Sequence, residues 1–335
     1  MNSPQTQRFA KVLKSPEVVT LSFGAMIGWS WVLLTGVWLS EAGTLGTLIA
    51  FAVGGLAITL IGLTYSELAA AMPRAGGEHI YTHRALGANW SFVCTWALLF
   101  SYLNVCLYES VALPTAVEYL LPQIRMGTLW NVLGADVDVG FVVVGAAGTI
   151  AITWVNYVGI RTAAVVQSIV TGLIIFAGVV LISGAAFNGE AARAEPWLAT
   201  PATGILAVLI MVPAMLVGFD VIPQSAEEID LPPNAIGRLL VISVVCAVLW
   251  YILITAAVGF AIPARDLGVV EMATADAAAA LWGSSWAGTL LVIGGIGGIL
   301  TSWNAFIVGA SRVMFALAES GYLPQAFTRI HPKYK

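Results

Sequence analysis

The sequence predicts an all-α integral membrane protein whose chain crosses the bilayer repeatedly. Three observations carry this expectation. Charged residues make up only 10% of the 335 residues, against 59% hydrophobic ones, whereas a soluble domain carries about a quarter charged residues. The mean hydropathy is +0.91. The apolar residues also fall in runs of about 20 or more, the length a helix needs to cross the hydrocarbon layer. Helices are the only choice for such runs, because lipid offers no partner to backbone amides and carbonyls.

Taken in order, the qualifying runs are 18–40, 45–71, 89–120, 139–157, 163–187, 204–226, 236–262 and 287–318. The third and eighth are longer than the bilayer needs, so they should tilt or project. The N-terminal segment 1–17 places Arg8, Lys11 and Lys14 ahead of the first run, as a signal peptide would. That run is longer than a signal's apolar stretch and lacks a cleavage site, so it reads as a retained span. A second polar segment, 319–335, follows the last span. With the N-terminus cytoplasmic, Arg8, Lys11, Lys14, Arg74, Arg84, Arg161, Arg238, Arg312, Arg329, Lys333 and Lys335 all lie inside. Only Arg125, Arg193 and Arg265 then lie outside, among the acidic Asp136, Asp138, Glu190, Glu195, Asp266, Glu271 and Asp276. This bias sets both termini in the cytoplasm, with the plasma (inner) membrane as the expected location. The loop at 263–286, with its run Ala277–Ala280, should hold a short outer helix.

Composition also excludes several functions. The net charge of −4 and the lack of a basic stripe rule against nucleic acid, leaving membrane lipid as the surrounding medium. Cys94, Cys106 and Cys246 are scattered through apolar segments, which suits neither a disulfide framework nor a metal cluster. His79 and His83 stand one helical turn apart without a third ligand, so they read as solvated surface rather than a metal pair. Gly294, Gly295, Gly297 and Gly298 lie inside a span with no preceding strand, so they read as close helix packing rather than a nucleotide loop. No nucleophile–base pair suggests an enzyme, and nothing indicates an oligomeric state.

Two spans carry interruptions in matching places. The first contains Gly24-Ala25-Met26-Ile27-Gly28-Trp29-Ser30; the sixth contains Pro213, Val217-Gly218-Phe219-Asp220 and Pro223. Glycine frees the backbone and proline removes a donor, so both stretches can unwind at mid-membrane depth. Unwound backbone there must line a cavity or be buried in protein, and paired interruptions point to a binding site. Asp220 strengthens the case, because an intramembrane carboxylate is costly to keep.

The run Tyr65-Ser66-Glu67-Leu68-Ala69-Ala70-Ala71-Met72-Pro73-Arg74-Ala75-Gly76-Gly77-Glu78-His79-Ile80-Tyr81 closely resembles the second-span signature of the amino acid/polyamine/organocation permeases. Similar matches are Gly24 to Gly28, Gly218-Phe219-Asp220 with Ala226-Glu227-Glu228, and Ser311-Arg312 with Gly321-Tyr322-Leu323-Pro324. The resemblance implies a leucine-transporter-like inverted-repeat fold of five plus five helices, with helices one and six broken. Spans one to five (18–187) would form the first repeat, and spans six to eight (204–318) part of the second. The chain then stops after helix eight, so it is expected to be a piece of a longer protein.

The resemblance also implies an amino acid permease, binding its cargo through backbone. Gly28, Trp29 and Ser30 would meet the carboxylate; Ala25, Met26, Val217 and Gly218 the amine. Phe219 and Asp220 would sit at the second break. Asn104, Tyr108, Glu109 and Trp303 are candidates for the side-chain pocket. No cofactor is expected beyond a coupling ion, either sodium at Thr301 and Ser302 or a proton on Asp220 or Glu109. The chain departs from the family at Trp29-Ser30-Trp31, where small residues are usual, and at Ala214, where many relatives place an aromatic gate. Ile174 stands where some relatives carry a lysine in place of sodium. A polyamine or other organic cation remains an alternative cargo, and a ligand sensor that moves nothing an alternative role.

Overall fold

Proline at the second position suits the opening turn of α1 (Ser15–Met26), and the Glu17 carboxylate accepts from the Lys14 amide at 3.1 Å. The helix stops at Met26, and a four-residue helix, α2 (Ser30–Leu33), resumes after Gly28. Next comes α3 (Thr35–Ala71), which turns a corner at Gly43, where φ is +75°. A side chain there would collide with backbone: a Cβ would lie 2.6 Å from the Pro196 carbonyl oxygen in the loop that crosses over it. The gap expected between the first two spans is therefore a kink inside continuous helix. The computed structural model describes residues 9–270 and 272–331, so Arg8, Glu271, Lys333 and Lys335 lie outside the described residues.

After Gly76-Gly77 the short α4 (Gly77–Leu86) leads into α5 (Ala88–Leu120). An antiparallel hairpin follows, β1 (Thr128–Val132) and β2 (Ala135–Asp138). It is a small two-stranded sheet within an otherwise helical fold. Leu133 and Gly134 both have positive φ (+51° and +87°), the twist that a tight two-residue hairpin turn requires. Asp138 then caps α6 (Val139–Val158), accepting from the amides of Met126 (3.0 Å), Gly127 (2.8 Å) and Gly140 (2.8 Å). Those donors, Met126 first, hold its carboxyl below its ordinary value.

The chain continues through α7 (Ile160–Asn188), α8 (Thr203–Met215), the four-residue α9 (Val221–Gln224) and α10 (Pro233–Gly259). Then come α11 (Ala273–Trp282), which occupies the alanine-rich loop at 263–286, and α12 (Ser285–Glu319). Among the described residues six helices are long and apolar enough to span a membrane: α3, α5, α6, α7, α10 and α12. The other two expected spans are each divided into pieces shorter than the bilayer. The outer faces carry Leu56, Leu60, Phe100, Val111, Ile150 and Ile169 exposed, as a lipid-facing surface should. The polar side chains turn inward, with Gln167, Glu109, Asn304 and Thr301 all buried. At the centre stands α12, packed against α1, α5, α7 and α11.

Candidate functional site

The two interruptions meet. Gly218, with φ +118°, lets the turn after α8 run against the end of α1; a Cβ on it would lie 2.7 Å from Ala25 Cβ and 3.1 Å from the Ala25 carbonyl carbon. One side chain ties both breaks together. Tyr251 of α10 donates its hydroxyl hydrogen to the Met26 carbonyl (2.9 Å), with the Met215 carbonyl at 3.3 Å, and accepts from the Ser30 hydroxyl (2.9 Å). The tyrosine is buried, stacked on Phe51 and edge-on to Trp38.

Among the described residues the two breaks also leave backbone groups unbonded. Among the described hydrogen bonds none is donated by the amides of Gly28, Trp29 or Ser30, and none is accepted by the carbonyls of Ala25 or Val217. These groups border a cavity of about 170 Å³, which Tyr108 and Glu109 of α5 and Ser302 of α12 complete. Glu109 is buried; one of its oxygens would stand 3.0 Å from a Cβ on Gly28, and the other has no hydrogen-bond partner.

The structure thus brings together Ala25, Met26, Gly28, Trp29, Ser30, Tyr108, Glu109, Val217 and Ser302 around one cavity. The remaining candidates lie elsewhere. Asn104 is on an exposed face of α5, where its amide donates to the Phe100 carbonyl at 2.8 Å. It stands two positions off the buried stripe Thr95, Leu99, Tyr102 and Glu109. Trp303 packs towards Gly148 of α6. Phe219 sits edge-on to Tyr65. Asp220 braces its own turn, accepting from the Gly218 amide at 3.1 Å and from the Tyr102 hydroxyl. The Thr301 hydroxyl donates to the Gly297 carbonyl, while the threonine's Cβ faces Gly24. Gly218 shapes the cavity without lining it.

The unusual tryptophans have a structural account. A Cβ on Gly295 would lie 2.4 Å from the Trp29 ring, one on Gly294 3.6 Å from the Trp31 ring, and one on Gly298 2.6 Å from the Gly28 carbonyl oxygen. The glycine face of α12 is the groove that receives the first break and its bulky neighbours. Ala214 lines the cavity beside Met215, and Leu34 and Phe306 supply its larger apolar walls.

The segment leading into α1 is tied to the chain that follows α9 and to α12. Val12 and Leu13 donate to the Glu228 carbonyl (2.9 Å each), and Arg312 forks onto the Glu228 carboxylate at 2.9 and 2.5 Å. Phe9 lies edge-on to Phe315 beneath the Arg312 guanidinium. His79 differs from its expected solvated state: it is buried, with Thr95 (2.9 Å) and Ser91 (3.0 Å) on Nδ1 and Ser320 (2.7 Å) on Nε2. Burial, with His83 adding, pushes its pKa below the ordinary value. The described residues contain no cluster suited to a metal ion.

Comparison with known proteins agrees with this architecture. The sequence model described as amino acid permease matches residues 17–335. The branched-chain amino acid permease BcaP of Bacillus subtilis is 27% identical over 95% of this chain and 69% of its own length. Cationic amino acid transporter 4 of Mus musculus is 27% identical over 96% of this chain, which spans about half (52%) of that protein. Among solved structures, Mhp1, a nucleobase-cation-symport-1 family transporter in a closed conformation with bromovinylhydantoin bound, superposes with a TM-score of 0.60. The alignment covers 98% of this chain and 72% of Mhp1 at 13% identity.

Proposed function

The chain belongs to the amino acid permease family, and from that premise we propose that it carries amino acids across the plasma (inner) membrane by alternating access. The carrying observation is the pairing of the two breaks around one cavity, with unbonded amides on one side and unbonded carbonyls on the other. In this reading α1 with α2, and α8 with α9, are the broken helices one and six of a leucine-transporter-like fold. Both termini lie in the cytoplasm.

A zwitterion fits such a site through backbone alone. Free amides at a break attract a carboxylate, here at Gly28, Trp29 and Ser30. The carbonyls of Ala25 and Val217 receive the ammonium. The Met26 carbonyl is already engaged by Tyr251, so its part is to hold the break rather than the cargo. The substrate side chain then extends towards Tyr108, Glu109 and the apolar walls. Transport is coupled to a cation: sodium held by Thr301 and Ser302, or a proton carried by Asp220 or Glu109.

A second reading rests on Glu109. Its buried carboxylate lines the cavity and keeps one oxygen without a hydrogen-bond partner, a ready countercharge for a polyamine or other organic cation. A competition screen of amino acids and polyamines against the purified protein decides between them. Selective displacement by amino acids supports the first reading, and displacement by polyamines alone overturns it. Binding with no uptake in sealed vesicles would make the protein a ligand sensor instead.

A further inference from the structure

The signature after the second span ends in Gly76-Gly77-Glu78, and the two glycines decide where the glutamate goes. With φ of +89° and +24° they turn the chain so tightly that a Cβ on Gly76 would lie 2.3 Å from Ala316 Cβ. One on Gly77 would lie 3.1 Å from Pro223 Cβ. The first turn of α4 is thereby seated directly on α9, the segment that continues from Asp220. The Gly76 amide donates to the Gln224 carbonyl across this seam at 3.4 Å.

Glu78 is buried in the seam. One carboxyl oxygen accepts from the Gln224 side-chain amide, and the other meets no donor. The Gln224 side-chain oxygen, the Ser225 hydroxyl and the Tyr81 hydroxyl are also buried without partners. Tyr65 faces Glu78 from α3, Cys94 and Tyr102 from α5, and Asp220 from the adjoining break. On its own helix stand Tyr81, His79, which is engaged with Ser91, Thr95 and Ser320, and His83. From α12 the guanidinium of Arg312 is committed to Glu228. Among the described residues, no ion pair includes Glu78 or Asp220. An ionised carboxylate here would have only the Gln224 amide and the Tyr65 hydroxyl as side-chain donors, no countercharge and a second carboxylate facing it. A buried group in that position neutralises or leaves.

We propose that Glu78 is a proton-binding residue: its neutral acid holds α4 on α9, and loss of the proton to water opens this seam and frees the segment that carries Asp220. Burial, and then the charge of Asp220, push its carboxyl well above the ordinary carboxylate range, in the direction that favours the closed seam. The step needs only a proton released to, or taken from, water at the α4 end. Its role as a gate in the transport cycle rests on the permease reading; the proton-linked opening itself does not.

The test is hydrogen–deuterium exchange of segment 77–86 in the purified full chain, corrected for intrinsic exchange, between about pH 5 and about pH 9. One proton linked to opening changes the opening constant by up to about tenfold per pH unit. The wild type should therefore open progressively as pH rises, and Glu78→Asp should do the same. Glu78→Gln, which cannot ionise, should stay protected throughout. Protonation of His79 would open the region in the opposite direction, on acidification, so the two are separable by sign. A flat wild-type profile overturns the proposal even if the variants fail to fold, as does a Glu78→Gln profile that rises like the wild type. Because no substrate is needed, absence of amino acid binding would refute the transport reading without touching this result.

Discussion

Replacing Gly218 by alanine attacks the contact on which the paired-break site depends. At φ +118° an L-residue is strained, at a cost of about 1–3 kcal/mol. The new methyl would also stand 2.7 Å from Ala25 Cβ and 3.1 Å from the Ala25 backbone carbon, overpacking worth another ~1–3 kcal/mol. Both penalties relax if the turn after α8 moves away from α1, which draws the Val217 carbonyl out of the cavity it lines with Ala25. If only about 2 kcal/mol of this falls on the bound state, Kd rises about 30-fold. Equilibrium binding of the tightest amino acid ligand to purified protein measures it, with thermal unfolding as a check on folding. Gly283→Ala is the control, because its φ of +59° is also positive yet a Cβ there meets nothing within 4 Å. Wild-type affinity in Gly218→Ala, or an equal loss in Gly283→Ala, would refute the reasoning.

Three other outcomes follow from the same account. A cysteine at Asn188 should react with an impermeant thiol reagent in intact cells while one at Ser3 stays unlabelled; labelling at Ser3 alone would invert the topology. Asp220→Asn should flatten the pH dependence of uptake if Asp220 carries the coupled proton, whereas Thr301→Ala should raise the sodium requirement if sodium drives transport. Uptake unchanged by both would remove both residues from coupling. His79 has its pKa lowered by burial, so the unfolded chain takes up the proton more readily than the folded one. Its contribution to stability is full above the ordinary value of about 6.5 and is lost as pH falls through the lower folded value. Between about pH 7 and about pH 5 the wild type should therefore lose thermal stability in detergent relative to His79→Gln; an equal change in both would contradict the assignment.

Hydropathy made the spans legible because lipid imposes one rule along the whole chain. Glycine and proline marked where two helices divide, since a broken helix needs residues that tolerate an irregular backbone. Local pattern could not reveal contacts made across long stretches of sequence. Tyr251 sits 225 positions from the Met26 carbonyl it bonds, and Tyr102 118 positions from Asp220. Both were visible only as tyrosines inside apolar runs. The helical period of α5 could have singled out Tyr102, which shares the buried stripe with Glu109, and set aside Asn104. The burial of His79 escaped for a similar reason, because its partners come from α5 and from Ser320, just past the end of α12. The small hairpin before α6 depends on a turn at Leu133-Gly134 that no long apolar pattern announces.

The central claim is that the unbonded amides beside Gly28 receive a substrate carboxylate. Comparing the binding of an amino acid with that of its methyl ester tests this directly, since esterification removes the negative charge while keeping the ammonium and side chain. Hydrogen bonds to a charged group contribute about 1.5–3 kcal/mol, so the ester should bind roughly 10- to 100-fold more weakly. An ester that binds as tightly as the free amino acid would contradict the account and favour an organic cation held by Glu109.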